Sequence, residues 1–238
     1  GFFKIVAQQL QLSRFVIYQE NLSRHFVPPI AQFCFSALTL DLSETESLEE
    51  ALALIEAEGA DALTMRALAK AVGVDHRALY RHYPDRDAVL AEVAAEGYRQ
   101  LLQAQMAGSE DASNPLQTAF EVYVRFALDR PHLHTLMLTR SRQDMDSHSA
   151  LGEALKAELD QLMIWSRLAL GAEKGERETD ARDLAFAALA AAYGLVTLAS
   201  TASLMPRSPD DLKAFVIDQV RGVLEGQLLR FGAFPAEA

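Results

Sequence analysis

One cysteine in 238 residues, Cys34, leaves no partner for an internal disulfide, which fits a reducing cytoplasm. Glycine is also scarce, at 12 residues, and the alanine-rich runs around it favour helices. After residue 40 no useful length of sequence alternates apolar and polar residues, so strands are not expected there. The constellations of catalysis are missing as well. No Ser-His-Asp, Cys-His or phosphate-loop pattern stands out, and carboxylate pairs such as Glu49-Glu50 fall on polar helix faces. His132 and His134, two apart on a helix, point to different sides and make a poor chelate. An enzyme, a metal site and a cofactor are therefore not expected. Basic residues are outnumbered too, 22 Lys and Arg against 33 Asp and Glu, and the net charge of −11 argues at first against a nucleic-acid partner.

The distribution of charge reverses that inference. Between Thr64 and Arg86 stand five basic residues, Arg66, Lys70, Arg77, Arg81 and Arg86, against Asp75 and Asp85. His76 and His82 can add to this excess, so one end of the molecule should be positive. Within it, Leu63 to Tyr83 (LTMRALAKAVGVDHRALYRHY) reads as two short helices meeting at a sharp turn. Thr64 is placed to cap the first, whose apolar stripe is Leu68, Ala69 and Val72. Gly73 ends it, because a residue leaving a helix at positive φ is least strained as glycine, and Val74 is placed to plug the gap between the helices. Asp75 caps the second helix, His76 to Tyr83, which turns Leu79 and Tyr83 inward and leaves His76, Arg77, Tyr80 and Arg81 outside. Small Ala69 lets the helices cross closely, as a helix-turn-helix requires. An ordinary αα-hairpin with a solvated polar face fits the same pattern.

The longer run Ala51 to Val93 resembles the DNA-binding domain of the TetR family of bacterial transcriptional regulators. The matching elements, in order, are Gly59, Leu63-Thr64-Met65-Arg66, Leu68-Ala69, Gly73-Val74, Ala78-Leu79-Tyr80, His82-Tyr83 and Arg86. A shorter stretch, Tyr123 to Leu138, is similar to the start of one ligand-binding subtype in that family. The resemblance implies that Arg66, His76, Arg77 and Tyr80 enter the DNA groove, with Thr64, His82 and Arg86 toward phosphates and Arg81 toward phosphate or solvent. The chemistry agrees. Arg77, at the start of a helix able to enter the major groove, can pair with guanine O6 and N7, and Tyr80 stands one turn on to bond a phosphate. The resemblance also implies a cytoplasmic homodimer, joined by the last two helices of each chain, on a palindromic double-stranded operator.

Taken in order, residues 1–42 are apolar and aromatic, carry Lys4, Arg14 and Arg24 with no acid before Glu20, and break at Pro28-Pro29. This extension departs from the family pattern and makes a poor secretory signal, because charges interrupt every apolar core. It reads as upstream sequence without a role, an arm that touches DNA, or a helix packed on a subunit. Residues 43–106 form the DNA-binding domain with its connecting helix. Ser47 and Glu50 have capping-box spacing, and Leu48, Ala51, Leu52 and Ile55 face inward. Pro84-Asp85 then opens a long helix running to Met106. After a polar linker, Gly108 to Asn114, residues 115–232 form a helical ligand-binding and dimerisation domain, with helices Leu116 to Asp129, Pro131 to Arg140, His148 to Leu170, Thr179 to Leu204 and Pro209 to Phe231.

Leu184 to Met205 holds no charged residue over 22 positions, the length of a membrane span. Its Ala, Ser, Thr and Gly content and the lack of flanking belts favour instead a helix buried on all sides, and no membrane partner is expected. With Ala214, Phe215, Ile217, Val220, Val223 and Leu224 it suggests a subunit interface. Phe120, Tyr123, Phe126, Met137, Met163, Trp165, Phe186 and Tyr193 are candidates to line a cavity for a small apolar effector. The expected fold is all-α, an N-terminal three-helix helix-turn-helix DNA-binding domain plus a C-terminal helical domain. The expected function is a repressor released by that effector. The other reading is a helical ligand-binding or scaffolding protein whose DNA binding is lost or blocked by the extension.

Overall fold

The computed structural model describes residues 45–143, 149–173, 175–200 and 208–233, all within one compact body, Glu44–Ala238. The extension with Cys34, and the helix ends expected at His148 and Leu204, lie outside the described residues. Nine α-helices and one 3-10 turn account for the described elements, and no strand is among them. We label the helices α1 (45–58), α2 (Met65–Val72), α3 (His76–Leu79), α4 (Arg86–Ser109), α5 (Pro115–Asp129), α6 (Pro131–Gln143), α7 (Ser149–Ala169), α8 (Glu178–Ser200) and α9 (Pro209–Arg230).

Local chemistry starts most of these helices where the sequence places them. Thr64 Oγ1 accepts from the Ala67 amide, Asp75 Oδ1 from Arg77 and Asp85 Oδ1 from Ala88, each satisfying an amide that the first helical turn leaves unpaired. Asn114 caps α5 ahead of Pro115, and Ser208 caps α9 ahead of Pro209. Gly73 takes φ 78° and ψ 28°, and its amide and that of Val74 both bond the Ala69 carbonyl, closing α2.

The long α4 is the axis of the body. At 24 residues it extends about 36 Å, and it packs against α5, α6 and α7 through Val89, Val93, Ala94, Tyr98 and Leu101, all buried. It continues past Met106 to Ser109 and absorbs part of the expected linker, because Gly108 lies close to Thr118 and Val122 of α5. At Gly97 the approach of α6 is so close that an added Cβ would stand 2.7 Å from Met137 Sδ and 3.2 Å from Leu133 Cδ1.

Three expectations change in the C-terminal half. α8, uncharged from Leu184 on, is not buried on all sides: Ala181, Leu184, Ala185, Ala188, Ala192, Val196 and Ala199 pack inward, while Phe186 and Leu198 are exposed. It is the one described helix long and apolar enough to cross a membrane, yet its buried stripe seats it on α9, α7 and α5. Ile217, Val220 and Leu224 of α9, expected at a subunit contact, are 7%, 2% and 3% exposed, because they pack into the chain's own core. Phe186, a candidate cavity residue, is 65% exposed, so it stands outside the bundle.

Candidate functional site

The first candidate site is the face of α2, the turn and α3. Leu68, Ala69, Leu79 and Tyr83 are buried, while Arg66, Lys70, His76, Arg77, Tyr80 and Arg81 are exposed. Burial of the first set fixes the backbone that aims the second. Helical geometry ends earlier than expected, at Leu79. Its carbonyl then accepts from both His82 and Tyr83, a tightened last turn that carries Tyr80 to His82. His76 stands edge-on to Tyr80 at 6.4 Å and has Nδ1 3.7 Å from the Asp75 carboxylate. Because Thr64 Oγ1 accepts from an amide, its own proton is left to donate outward. Val74, expected to plug the gap, is 38% exposed and joins the outer surface instead.

Arg86 is placed differently from the expectation. Its Nε donates to the Leu63 carbonyl and its Nη2 to the Ala60 carbonyl, each at 2.7 Å. The guanidinium thus clamps the start of α4 to the segment before α2, and two of its three nitrogens are committed to that role.

A second group of contacts ties the reader to the rest of the body. His132 Nδ1 is 3.0 Å from the Glu56 carbonyl oxygen, and Arg130 pairs with the Glu56 carboxylate while its Nη1 donates to Gln100. Arg140 Nη2 donates to the Asp87 carbonyl at 2.8 Å. All three basic side chains come from the α5–α6 corner or from α6. Sequence reasoning gave that helix no such role.

Of the cavity candidates, Tyr123 and Tyr193 come together, whereas the Met137 side chain packs against Gly97 of α4. The Tyr123 and Tyr193 rings lie 5.4 Å apart, the Tyr123 hydroxyl is 2.6 Å from His134 Nε2, and Tyr98 Oη reaches the Met137 carbonyl. Phe120 is buried, Phe126 lies under the Arg130 guanidinium, and Met163 is partly buried. Trp165, 6% exposed, lines a groove of about 350 Å³ with Met106, Ser109, Glu110 and Gln161. Sequence reasoning missed Tyr98, His134 and above all Glu158. Burial lowers the His134 imidazole to about 4 and raises the Glu158 carboxyl to about 7. One signal was available for Glu158: it is the only acid in the inward stripe Leu151, Ala154, Glu158, Leu162, Trp165. Among the described residues no group of three or more His, Cys, Asp or Glu could hold a metal ion.

Together these features define a helix-turn-helix protein whose reader is braced by a larger helical bundle. Residues 48–93 match the model of bacterial regulatory proteins of the tetR family, and residues 116–220 match the tetracyclin repressor-like C-terminal domain, together more than half of the chain. The chain belongs to the TetR family and is a DNA-binding transcriptional regulator. It is similar to the nucleoid occlusion factor SlmA of Vibrio cholerae, 29% identical over 141 residues that cover 55% of this chain and 71% of the relative. Among solved structures it is similar to a protein of unknown function from Rhodococcus sp. RHA1, at 28% identity and a TM-score of 0.62 over 76% of this chain and 94% of the other. The TetR family transcriptional regulator PfmR from Thermus thermophilus shares the fold at 20% identity and a TM-score of 0.51, covering 75% of this chain and 96% of its own.

Proposed function

We propose that this regulator is a homodimeric, cytoplasmic repressor that binds a palindromic operator and is released when a small, largely apolar ligand enters the C-terminal bundle. The observation that carries the DNA half is the division of the reader into a buried apolar side and an exposed side bearing Arg66, Lys70, Arg77, Tyr80 and Arg81. On that side Arg77 reads a base edge, while Tyr80, Thr64 and the remaining cations bond phosphates. Phe186 and Leu198 on α8 and Leu229 on α9, exposed in the single chain, support a dimer contact. Covering each would contribute about 1–2 kcal/mol, since each is already partly covered.

Release follows from the position of α6. Its Met137 carbonyl and His134 ring bond Tyr98 and Tyr123 of the aromatic cluster, while His132 and Arg140 hold α1 and the start of α4. A ligand that prefers a shifted α6 therefore favours a different separation of the two readers in a dimer, and half-sites are read at one fixed spacing. Couplings of this kind are about 1–3 kcal/mol, a five- to 150-fold loss of operator affinity.

The test is selection of bound duplexes from a random pool at low salt, followed by operator titration with and without bundle ligands. Enrichment of a two-fold symmetric sequence with half-sites about 34 Å apart, or a multiple of it, is expected. If no duplex is retained, the repressor reading fails.

A further inference from the structure

The bundle buries polar atoms that it does not satisfy. Glu158 Oε2 on α7 has no hydrogen-bond partner, and neither do Ser166 Oγ on the same helix and Gln105 Oε1 on α4. Buried polar groups are nearly always bonded, because each unpaired one forfeits its hydration without return. Glu158 is the extreme case, a carboxyl only 5% exposed among otherwise apolar neighbours on its stripe. Two of the phenols near it are already engaged, the Tyr123 hydroxyl with His134 Nε2 and the Tyr98 hydroxyl with the Met137 carbonyl. Tyr98, Tyr123 and Tyr193 lie near enough to Glu158 to feel its charge, and aromatic π faces attract cations. We propose that the bundle takes a small apolar molecule bearing one protonated amine, with Glu158 as the counter-ion and the Tyr123 and Tyr193 rings beside it.

This inference rests on the effector reading above and narrows its ligand class. An ammonium fits the orphaned oxygen better than a neutral hydroxyl does. It supplies both the missing N–H donor and the opposite charge that an ionised carboxylate needs in a low-dielectric interior. The groups that feel the Glu158 charge from the packed helices are the phenols of Tyr98 on α4, Tyr123 on α5 and Tyr193 on α8. Burial raises all three phenols, Tyr98 to about 12 and the others further, so they stay neutral. His134 on α6 is lowered to about 4 and is neutral as well. Glu158 is then the one member of the cluster that changes charge near neutrality. The free carboxyl is about half protonated at pH 7, and pairing with an ammonium drives its proton to the buffer, about 0.5 per site.

The experiment uses the full chain and a set of aryl-alkyl amines, each matched with the alcohol that replaces nitrogen by oxygen. Trp165, two turns from Glu158 on α7, reports binding by fluorescence. Calorimetry in two buffers of different ionisation enthalpy counts protons, and operator affinity is measured alongside. Amines should bind in preference to their alcohols and release protons at pH 7. Glu158→Gln should weaken amine binding about thirtyfold or more, abolish the proton release and leave the alcohols unaffected. Amines and alcohols that bind alike, no amine that binds, or amine binding untouched by Glu158→Gln would each overturn the proposal. Alcohols that release the operator without regard to Glu158 would sink this inference and spare the effector reading. Amines that bind through Glu158 without moving operator affinity would do the reverse.

Discussion

Glu158→Gln has a consequence for folding that can be measured without any ligand. The carboxyl stands at about 7 in the fold against an ordinary 4.5, and at about 1.4 kcal/mol per unit that gap is about 3 kcal/mol. Between pH 4.5 and 7 the native state holds the Glu158 proton more tightly than the unfolded chain does. This contribution to stability is therefore complete below 4.5 and is lost as pH rises through 7. His134 works in the other direction. With its imidazole lowered from 6.5 to about 4, the unfolded chain binds the extra proton, so stability is gained as pH rises from 4 to 6.5. In the native protein the two slopes largely offset one another between pH 4.5 and 6.5. Glutamine keeps the shape and removes the charge, so the variant should show the His134 slope alone. Urea unfolding at fixed protein concentration, at pH 4.5, 6 and 8, measures the difference. The variant should match the parent at pH 4.5 and exceed it by about 3 kcal/mol at pH 8. A difference that does not change with pH would refute the assignment of Glu158 as a buried, unpaired carboxyl.

Arg77→Ala should cost roughly 1–3 kcal/mol of operator binding and relax preference at one base pair per half-site, read by competition with substituted duplexes. Arg86→Ala should act on the fold, because it strips a clamp from two backbone carbonyls. A loss of about 1–3 kcal/mol in urea unfolding is expected, with the salt dependence of DNA binding unchanged. Gly97→Ala drives a Cβ into Met137 and should destabilise by about 1–3 kcal/mol, with partial rescue by Met137→Ala in a double-mutant cycle. Phe186→Glu should shift sedimentation toward monomer while leaving the far-ultraviolet spectrum of the folded chain. Removal of residues 1–42 should leave the melting temperature of the remaining compact body within a few degrees.

Helix starts were legible in the sequence because a cap is settled within three residues: Thr64, Asp75 and Asp85 each bond an amide two or three positions ahead. The outward set His76, Arg77, Tyr80 and Arg81 followed from the inward Leu79 and Tyr83 for the same local reason. What failed depended on distant partners. Arg86 is committed to carbonyls 23 and 26 positions earlier, which no local pattern announces. Phe186 misled because a helix of small residues has little amphipathic contrast, so its outer side was not marked. Ile217, Val220 and Leu224 do form a stripe, but a stripe does not say whether its own chain or another covers it. The end of α4 moved because packing against α5 overrides the weak helix preference of Gly108.

The contact at Gly97 sets the mechanics of the long helix. It falls near the middle of α4, with roughly 16 Å of rod toward Arg86 and roughly 18 Å toward Ser109. With no side chain to cushion it, the backbone bears on Met137 and Leu133 as a beam bears on a fulcrum. Were that contact the pivot, the rod would tilt like a balance. A displacement of one end would return at the other with the opposite sense and nearly the same size, neither amplified nor lost. On that pivot a movement of an ångström or two beside Trp165 would reach the far end of α4 undiminished, which is how a stiff bundle would serve the proposed release.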